Sequence, residues 1–206
     1  MKVLLVNGSP RAKGCTYTAL SEVARILEQE GIETEIFQLG AKPVQDCIAC
    51  MKCRENGGKC VFDDVANELI EKAKGADGFV FGSPVYYAHP SGRILSFLDR
   101  AFYAGSRSSA GSPFAGKPGA AVVSARRGGT TASLDVLNKY FTIASMPVVG
   151  SSYWNMVHGS KPEDVLEDKE GVQTMRNLGH NMAWMLKYLH EGFPSQEKGA
   201  RTNFIR

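Results

Sequence analysis

Four of the five cysteines fall in one short stretch, spaced Cys47-Ile48-Ala49-Cys50-Met51-Lys52-Cys53 and then Cys60. Thiolate sulfur is a soft ligand and a redox group. The odd count, in a chain whose opening residues do not read as a secretory signal, argues against a disulfide framework and leaves metal binding or thiol redox chemistry. Zinc sites typically use two separated Cys-x2-Cys knuckles. Three thiols at successive two-residue spacers with a fourth close by better suit an iron–sulfur cubane, whose irons need ligands from several sides of one body. Gly57-Gly58 would let the chain turn back to bring Cys60 in. The alternative is a set of packed thiols or a redox pair.

The second candidate is the loop Asn7-Gly8-Ser9-Pro10-Arg11-Ala12-Lys13-Gly14-Cys15-Thr16-Tyr17-Thr18. It joins an apolar run to an amphipathic segment, so it reads as a strand-to-helix turn whose helix N–H groups face an anion. It offers the hydroxyls of Ser9, Thr16 and Thr18 and the guanidinium of Arg11. Hydroxyl donors without an obligatory lysine suit a terminal monophosphate. The loop is neither a Walker A sequence nor Gly-x-Gly-x-x-Gly. The alternative is an ordinary turn with a threonine cap.

These residues need a scaffold, and the pattern supplies one. Val3–Val6 is a continuous apolar run, as in a strand buried on both faces. Thr16–Gln29 carries one apolar helical face and stops at Gly31. Glu33–Leu39 reads as a strand, Val65–Ala73 as a helix started by Asp63-Asp64, and Gly78–Phe81 as a strand closed by Gly82-Ser83-Pro84. Ser91–Phe102 reads as a helix, Ala120–Ser124 as a strand, Thr130–Phe141 as a helix, and Met146–Gly150 as a short fifth strand. Glu163–Tyr188 has helical periodicity broken near Gly171, and the tail from Gly192 reads as a polar arm. This alternation predicts an α/β fold: a five-stranded parallel sheet with helices on both faces, plus a C-terminal helical extension. The expected division is residues 1–150 as the binding domain, including the cysteine loop 47–60, and 151–206 as the extension and arm packed on it. Ligands in such sheets bind beyond the carboxyl ends of the strands, where the loops after Val6, Phe81 and Ser124 should converge.

Gly8-Ser9-Pro10-Arg11 with Gly14-x-Thr16, Gly82-Ser83-Pro84-Val85-Tyr86-Tyr87, Ser91-Gly92 and Leu98-Asp99-Arg100 together resemble the NADPH-dependent FMN reductase family of flavodoxin-like proteins. The resemblance covers residues up to about 150. It implies that Ser9, Arg11, Thr16 and Thr18 hold the FMN phosphate. It implies that Pro84, Val85, Tyr86 and Tyr87 line the isoalloxazine, and that Ser124, Arg127, Gly128 and Gly129 close its other side. A flat π system can stack on or meet the edge of Tyr86 or Tyr87; core packing is the alternative for either ring. Arg127 is placed to stabilise a reduced anionic flavin. Two positions depart from the family: Leu95 stands where lysine is frequent, and Cys15 where asparagine is frequent. The cysteine spacing is similar to the compact motif of iron–sulfur flavoproteins, a branch of the same fold. That resemblance implies Cys47, Cys50, Cys53 and Cys60 as ligands of a [4Fe-4S] cluster.

The expected activity follows from the resemblance: electrons or hydride pass from NAD(P)H through FMN to a flavin, a quinone or a similar acceptor. FMN carries the chemistry, so no protein nucleophile is expected. An electron carrier linking a cluster to FMN, and a redox-sensing module without turnover, are the alternatives. Expected partners are small-molecule or protein electron donors and acceptors, together with further copies of the chain in a homodimer or homotetramer. Asp99-Arg100 reads as a structural ion pair or a subunit contact. Trp154–Gly159 reads as a pocket wall or an interface. The Met175, Met182, Trp184 and Met185 face reads as packing or as an oligomer surface. A formal net charge of +3, with scattered lysines and arginines, does not fit a nucleic-acid binder. No run is long enough to span a membrane, and a cytoplasmic location is expected.

Overall fold

Strand β1 (Lys2–Asn7) forms because Val3, Leu4, Leu5 and Val6 must all leave water, and all four are fully buried. In the computed structural model, which describes residues 1–189, β1 is flanked by β2 (Glu33–Gln38) and β3 (Gly78–Tyr86). β5 (Gly119–Ala125) and β6 (Met156–His158) continue the parallel sheet in the order β2-β1-β3-β5-β6. A two-residue strand, β4 (His89–Pro90), pairs antiparallel with the end of β3.

Alternation along the strands divides the core into two layers. Val3, Leu5, Val80 and Val122 face α1 (Cys15–Gln29), α5 (Pro162–Glu167) and α6 (Lys169–Tyr188). Leu4, Val6, Phe79 and Phe81 face α2 (Val65–Lys74), α3 (Gly92–Gly105) and α4 (Thr130–Ile143). Each fully buried Leu or Val side chain contributes roughly 1.5–3 kcal/mol. Strand order reverses between β1 and β3, so the switch-point crevice lies at their carboxyl ends.

The sequence expectation needs correcting at several places. The fifth strand is not Met146–Gly150, which contributes only an isolated bridge from Val148 to Gly119. Regular pairing with β5 is made by Met156–His158, so the sheet runs past residue 150. β3 does not stop at Gly82-Ser83-Pro84 but continues to Tyr86, with Pro84 opposite Ser124. The C-terminal helix breaks at Asp168 rather than Gly171. That carboxylate accepts from the N–H of His158 at 2.7 Å and of Gly171 at 3.0 Å, tying the start of α6 to the sheet edge. Met175 and Met182 are wholly buried in the core, while Trp184 is 60% exposed. The polar tail from Gly192 lies outside the described residues. No helix among the described residues is long and apolar enough to cross a membrane.

Candidate functional site

The β1–α1 loop is shaped by the last residues of two adjacent strands. Asn7 is fully buried; its Nδ2 donates to Gln38 Oε1 at 2.5 Å, and its Oδ1 accepts from the N–H of Ser9 at 3.1 Å. Gln38 Nε2 in turn donates to the Ser9 carbonyl at 2.7 Å. Asn7 and Gln38 are register partners across β1 and β2. Neither was singled out from the sequence; the available signal is an amide placed at the very end of a strand. Gly8 is required here: a Cβ would stand 2.6 Å from Ile94 Cδ1 and 2.7 Å from the Gly82 carbonyl oxygen. Ser9 Oγ accepts from the N–H of Arg11 at 3.1 Å, curling the loop before α1. Gly14 provides α1 with no side-chain cap, and uncapped first-turn N–H groups favour an anion.

A cleft of about 280 Å³ opens at the carboxyl ends of the strands. Ser9, Arg11, Cys15 and Thr16 wall it from the first loop, Pro84, Val85 and Tyr86 from the second, Ser124, Ala125 and Arg126 from the third, and Gly159 and Ser160 from the end of β6. Thr16 Oγ1 and Ser124 Oγ lie 2.8 Å apart at its floor. Among the described residues two guanidiniums and no carboxylate line it, which suits a dianionic phosphate monoester. Cys15 Sγ contacts the Gly159 carbonyl at 3.6 Å, and burial pushes its thiol pKa up.

Five expected residues do not line the cleft. Thr18 Oγ1 is turned to the Gly14 carbonyl at 3.3 Å. Tyr87 is fully exposed at the tip of the β3–β4 turn, where Tyr87 and Ala88 both have positive φ, 51° and 59°. Arg127 and Gly128 lie on the third loop outside the cleft lining, which includes Arg126. Gly129, at φ 95°, packs on the turn instead: a Cβ there would lie 2.4 Å from Ala88 Cα. Arg126, Ala125 and Ser160, which also line the cleft, were not among the expected residues. Of the Trp154–Gly159 segment, Gly159 reaches the cleft and Trp154 is exposed.

The cysteine segment forms a separate, apolar-walled pocket on the α3 side. Cys47, Cys50, Cys53 and Cys60 all line it, with Met51, Phe62, Arg100 and Tyr103. None of them is in a disulfide. Cys53, on the 3-10 turn Lys52–Arg54, is buried, and that burial raises its thiol pKa, as do nearby Cys60 and Cys50. Cys47 and Cys50 are exposed. Among the described residues no three Cys, His, Asp or Glu side chains form a closed metal site. The Asp99-Arg100 pairing is corrected. Arg100 pairs with Asp64 at 2.7 Å, while Asp99 accepts from the Tyr140 hydroxyl at 2.5 Å.

With that geometry in place, comparison with known proteins is decisive: a model of the NADPH-dependent FMN reductase family matches residues 1–161. The chain belongs to the NADPH-dependent FMN reductase family. Within it, the chain is 36% identical to an iron-sulfur flavoprotein of Methanocaldococcus jannaschii over 197 residues, covering 92% of this chain and 99% of that protein. It is 27% identical to the iron-sulfur flavoprotein of Methanosarcina thermophila, covering 93% and 98% of the two chains. Among solved structures, RosB with a bound 8-demethyl-8-formylriboflavin-5′-phosphate intermediate superposes at a TM-score of 0.74 with 15% identity, over 100% of this chain and 92% of that one. A flavodoxin from the domain Archaea superposes at 0.61 with 16% identity, over 91% and 100%. These two likenesses establish the flavodoxin-like fold. Family membership makes this chain a flavin-linked oxidoreductase or electron carrier.

Proposed function

We propose that the cleft binds FMN, with its phosphate on the β1–α1 loop and its ring between Tyr86 and the Ser124–Arg126 segment. The reading is carried by one observation: the three loops expected to converge do so in one cleft, closed at its floor by the Thr16–Ser124 hydroxyl pair at 2.8 Å. Ser9, Thr16 and the first-turn amides of α1 donate to the phosphate, and Arg11 offsets its charge. Pro84 and Val85 shield the ring from water, and the cleft mouth beside the half-exposed Tyr86 admits a second substrate. When bound, FMN supplies hydride and single-electron chemistry at its ring. Arg126, on the cleft wall, is placed to stabilise negative charge there. NAD(P)H is the proposed hydride donor, and a flavin, a quinone or a similar molecule the acceptor.

A second reading, an electron carrier, is favoured by the cysteine pocket. Its donor set, four thiols and no carboxylate among the described residues, fits iron in a sulfur-rich cluster rather than a hard cation. Cys53 and Cys60 are held by surrounding structure, while Cys47 and Cys50 lie on an irregular, exposed segment that can adjust around a metal. On this reading Cys47, Cys50, Cys53 and Cys60 would hold a [4Fe-4S] cluster, which would supply one-electron chemistry beside the flavin. Self-association into a homodimer or homotetramer is proposed as well, with the exposed Trp184 and Tyr188 rings, 5.4 Å apart, as candidate contact groups.

The test is anaerobic purification followed by an iron assay, a visible spectrum and addition of NAD(P)H. Flavin bands that bleach with NAD(P)H support the reductase. Bound iron with no bleaching supports the carrier. A protein that takes up no FMN contradicts both.

A further inference from the structure

Arg100 on α3 is the largest side chain in the fully buried core. A buried guanidinium requires a counter-charge and an acceptor for each N–H. Asp64 supplies the first in fork-to-fork geometry, at 2.7 Å to Nη1 and 2.8 Å to Nη2. The carbonyls of Gln45 and Phe62 take further bonds at 3.2 and 3.0 Å. Nε is left over, and it donates to Cys60 Sγ at 3.2 Å.

Both ends of that contact are fixed. Asp64 also caps α2, accepting from the N–H of Ala66 at 3.0 Å, so the guanidinium is anchored to a helix start. Cys60 is clamped by Asn67, which accepts from its N–H at 2.8 Å and donates to its carbonyl at 3.0 Å. The sulfur is thus the free polar atom of Cys60, and it lines the cysteine pocket. A neutral thiol is a poor acceptor, so a rigid charged donor aimed at it gains little. A sulfur carrying negative charge, as a thiolate or an iron ligand does, is a strong acceptor.

We infer that Arg100 is a positioning residue that holds Cys60 at the pocket and donates to its sulfur, making a cluster bound there easier to reduce. The inference rests on the reading of the four cysteines as ligands. Reduction adds one electron, and hence one negative charge, to the cluster without breaking a bond to Cys60. A hydrogen bond to a ligand sulfur favours that added charge and raises the potential. Asp64 neutralises the guanidinium, so the effect is assigned to the N–H···S bond rather than to net charge.

The variant is Arg100→Met with Asp64→Asn, which removes both charges together and keeps an amide cap on α2. Redox titration of anaerobically prepared wild type and variant, followed by electron paramagnetic resonance and visible absorption, records cluster and flavin in one sample. The expected result is a tenfold shift of the one-electron equilibrium towards the oxidised cluster, about 59 mV, with the flavin midpoint unchanged. Equal cluster midpoints overturn the inference. Should the variant not fold or not hold iron, wild type grown with nitrogen-isotope-labelled arginine decides. Pulsed resonance of the reduced cluster should show coupling to an arginine nitrogen, and absence of coupling overturns the inference. Wild type that binds FMN but no iron fails differently, removing the ligand reading itself.

Discussion

Thr16 and Ser124 meet hydroxyl to hydroxyl at 2.8 Å, joining the first turn of α1 to the carboxyl end of β5. Both are almost fully buried, so each hydroxyl needs a partner, and each finds it in the other. The contact fixes the β1–α1 loop against the end of β5. Thr16→Val removes a donor from the proposed phosphate seat and orphans Ser124. It should weaken FMN binding by roughly tenfold to a hundredfold, from about 1.5–3 kcal/mol for a hydrogen bond to a charged group. Quenching of FMN fluorescence on titration measures this, and an unaltered Kd would exclude Thr16 from the seat.

The two tyrosines at the end of β3 should behave differently. Tyr86 walls the cleft, whereas Tyr87 stands fully exposed at the turn. Tyr86→Ala should weaken FMN binding and shift its absorption bands, while Tyr87→Ala leaves both within error. Replacing Tyr87-Ala88 by Asn-Gly, which suits two positive φ angles, should raise stability by roughly 1 kcal/mol, read as a higher Tm.

These residues also mark what could be read from sequence. β1 and β5 were legible because uninterrupted apolar runs report burial on both faces. The end of β3 was not: Gly82-Ser83-Pro84 looks like a stop, but β1 pairs with β3 only as far as Gly82, so a proline beyond it interrupts no ladder on that side. Met146-Pro147-Val148-Val149 has the composition of a strand, yet the loop after it delays regular pairing until Met156. Three residues carry too little periodicity to announce a strand. In the site, loop membership was legible but side-chain direction was not. Arg126 and Arg127 are adjacent on the loop after β5, and the sequence does not say which one meets the cleft.

Gly129 tests how the third loop is seated. Its φ of 95° disfavours any Cβ, and one would strike Ala88 Cα at 2.4 Å. Gly129→Ala should destabilise by more than about 1 kcal/mol, and because the displaced turn follows Tyr86, FMN affinity should fall too. Urea unfolding at fixed pH gives the first quantity and flavin titration the second. A neutral effect on both would mean the turn is not packed on this loop.

The α6 helix is tied to α1 by Glu30, which accepts from Lys187 at 2.6 Å and meets His180 at 3.0 Å. The Lys187 bond, then the His180 contact, lowers the Glu30 pKa below its ordinary 4.5. A carboxylate depressed in the folded state stabilises fully above the unfolded pKa and loses that contribution as pH falls through the folded one. Stability should therefore drop on acidification below about pH 4.5 by more in wild type than in Glu30→Gln. Thermal melts across that window provide the check, and parallel curves would contradict it.

The central claim is a seat for a phosphate monoester at the end of β1, and calorimetric titration of apo-protein with FMN and with riboflavin tests it most directly. The two ligands share the ring and differ in the phosphate. The account predicts one FMN per chain, bound at least about a hundredfold tighter than riboflavin. Equal affinities, or no heat with FMN, would contradict it.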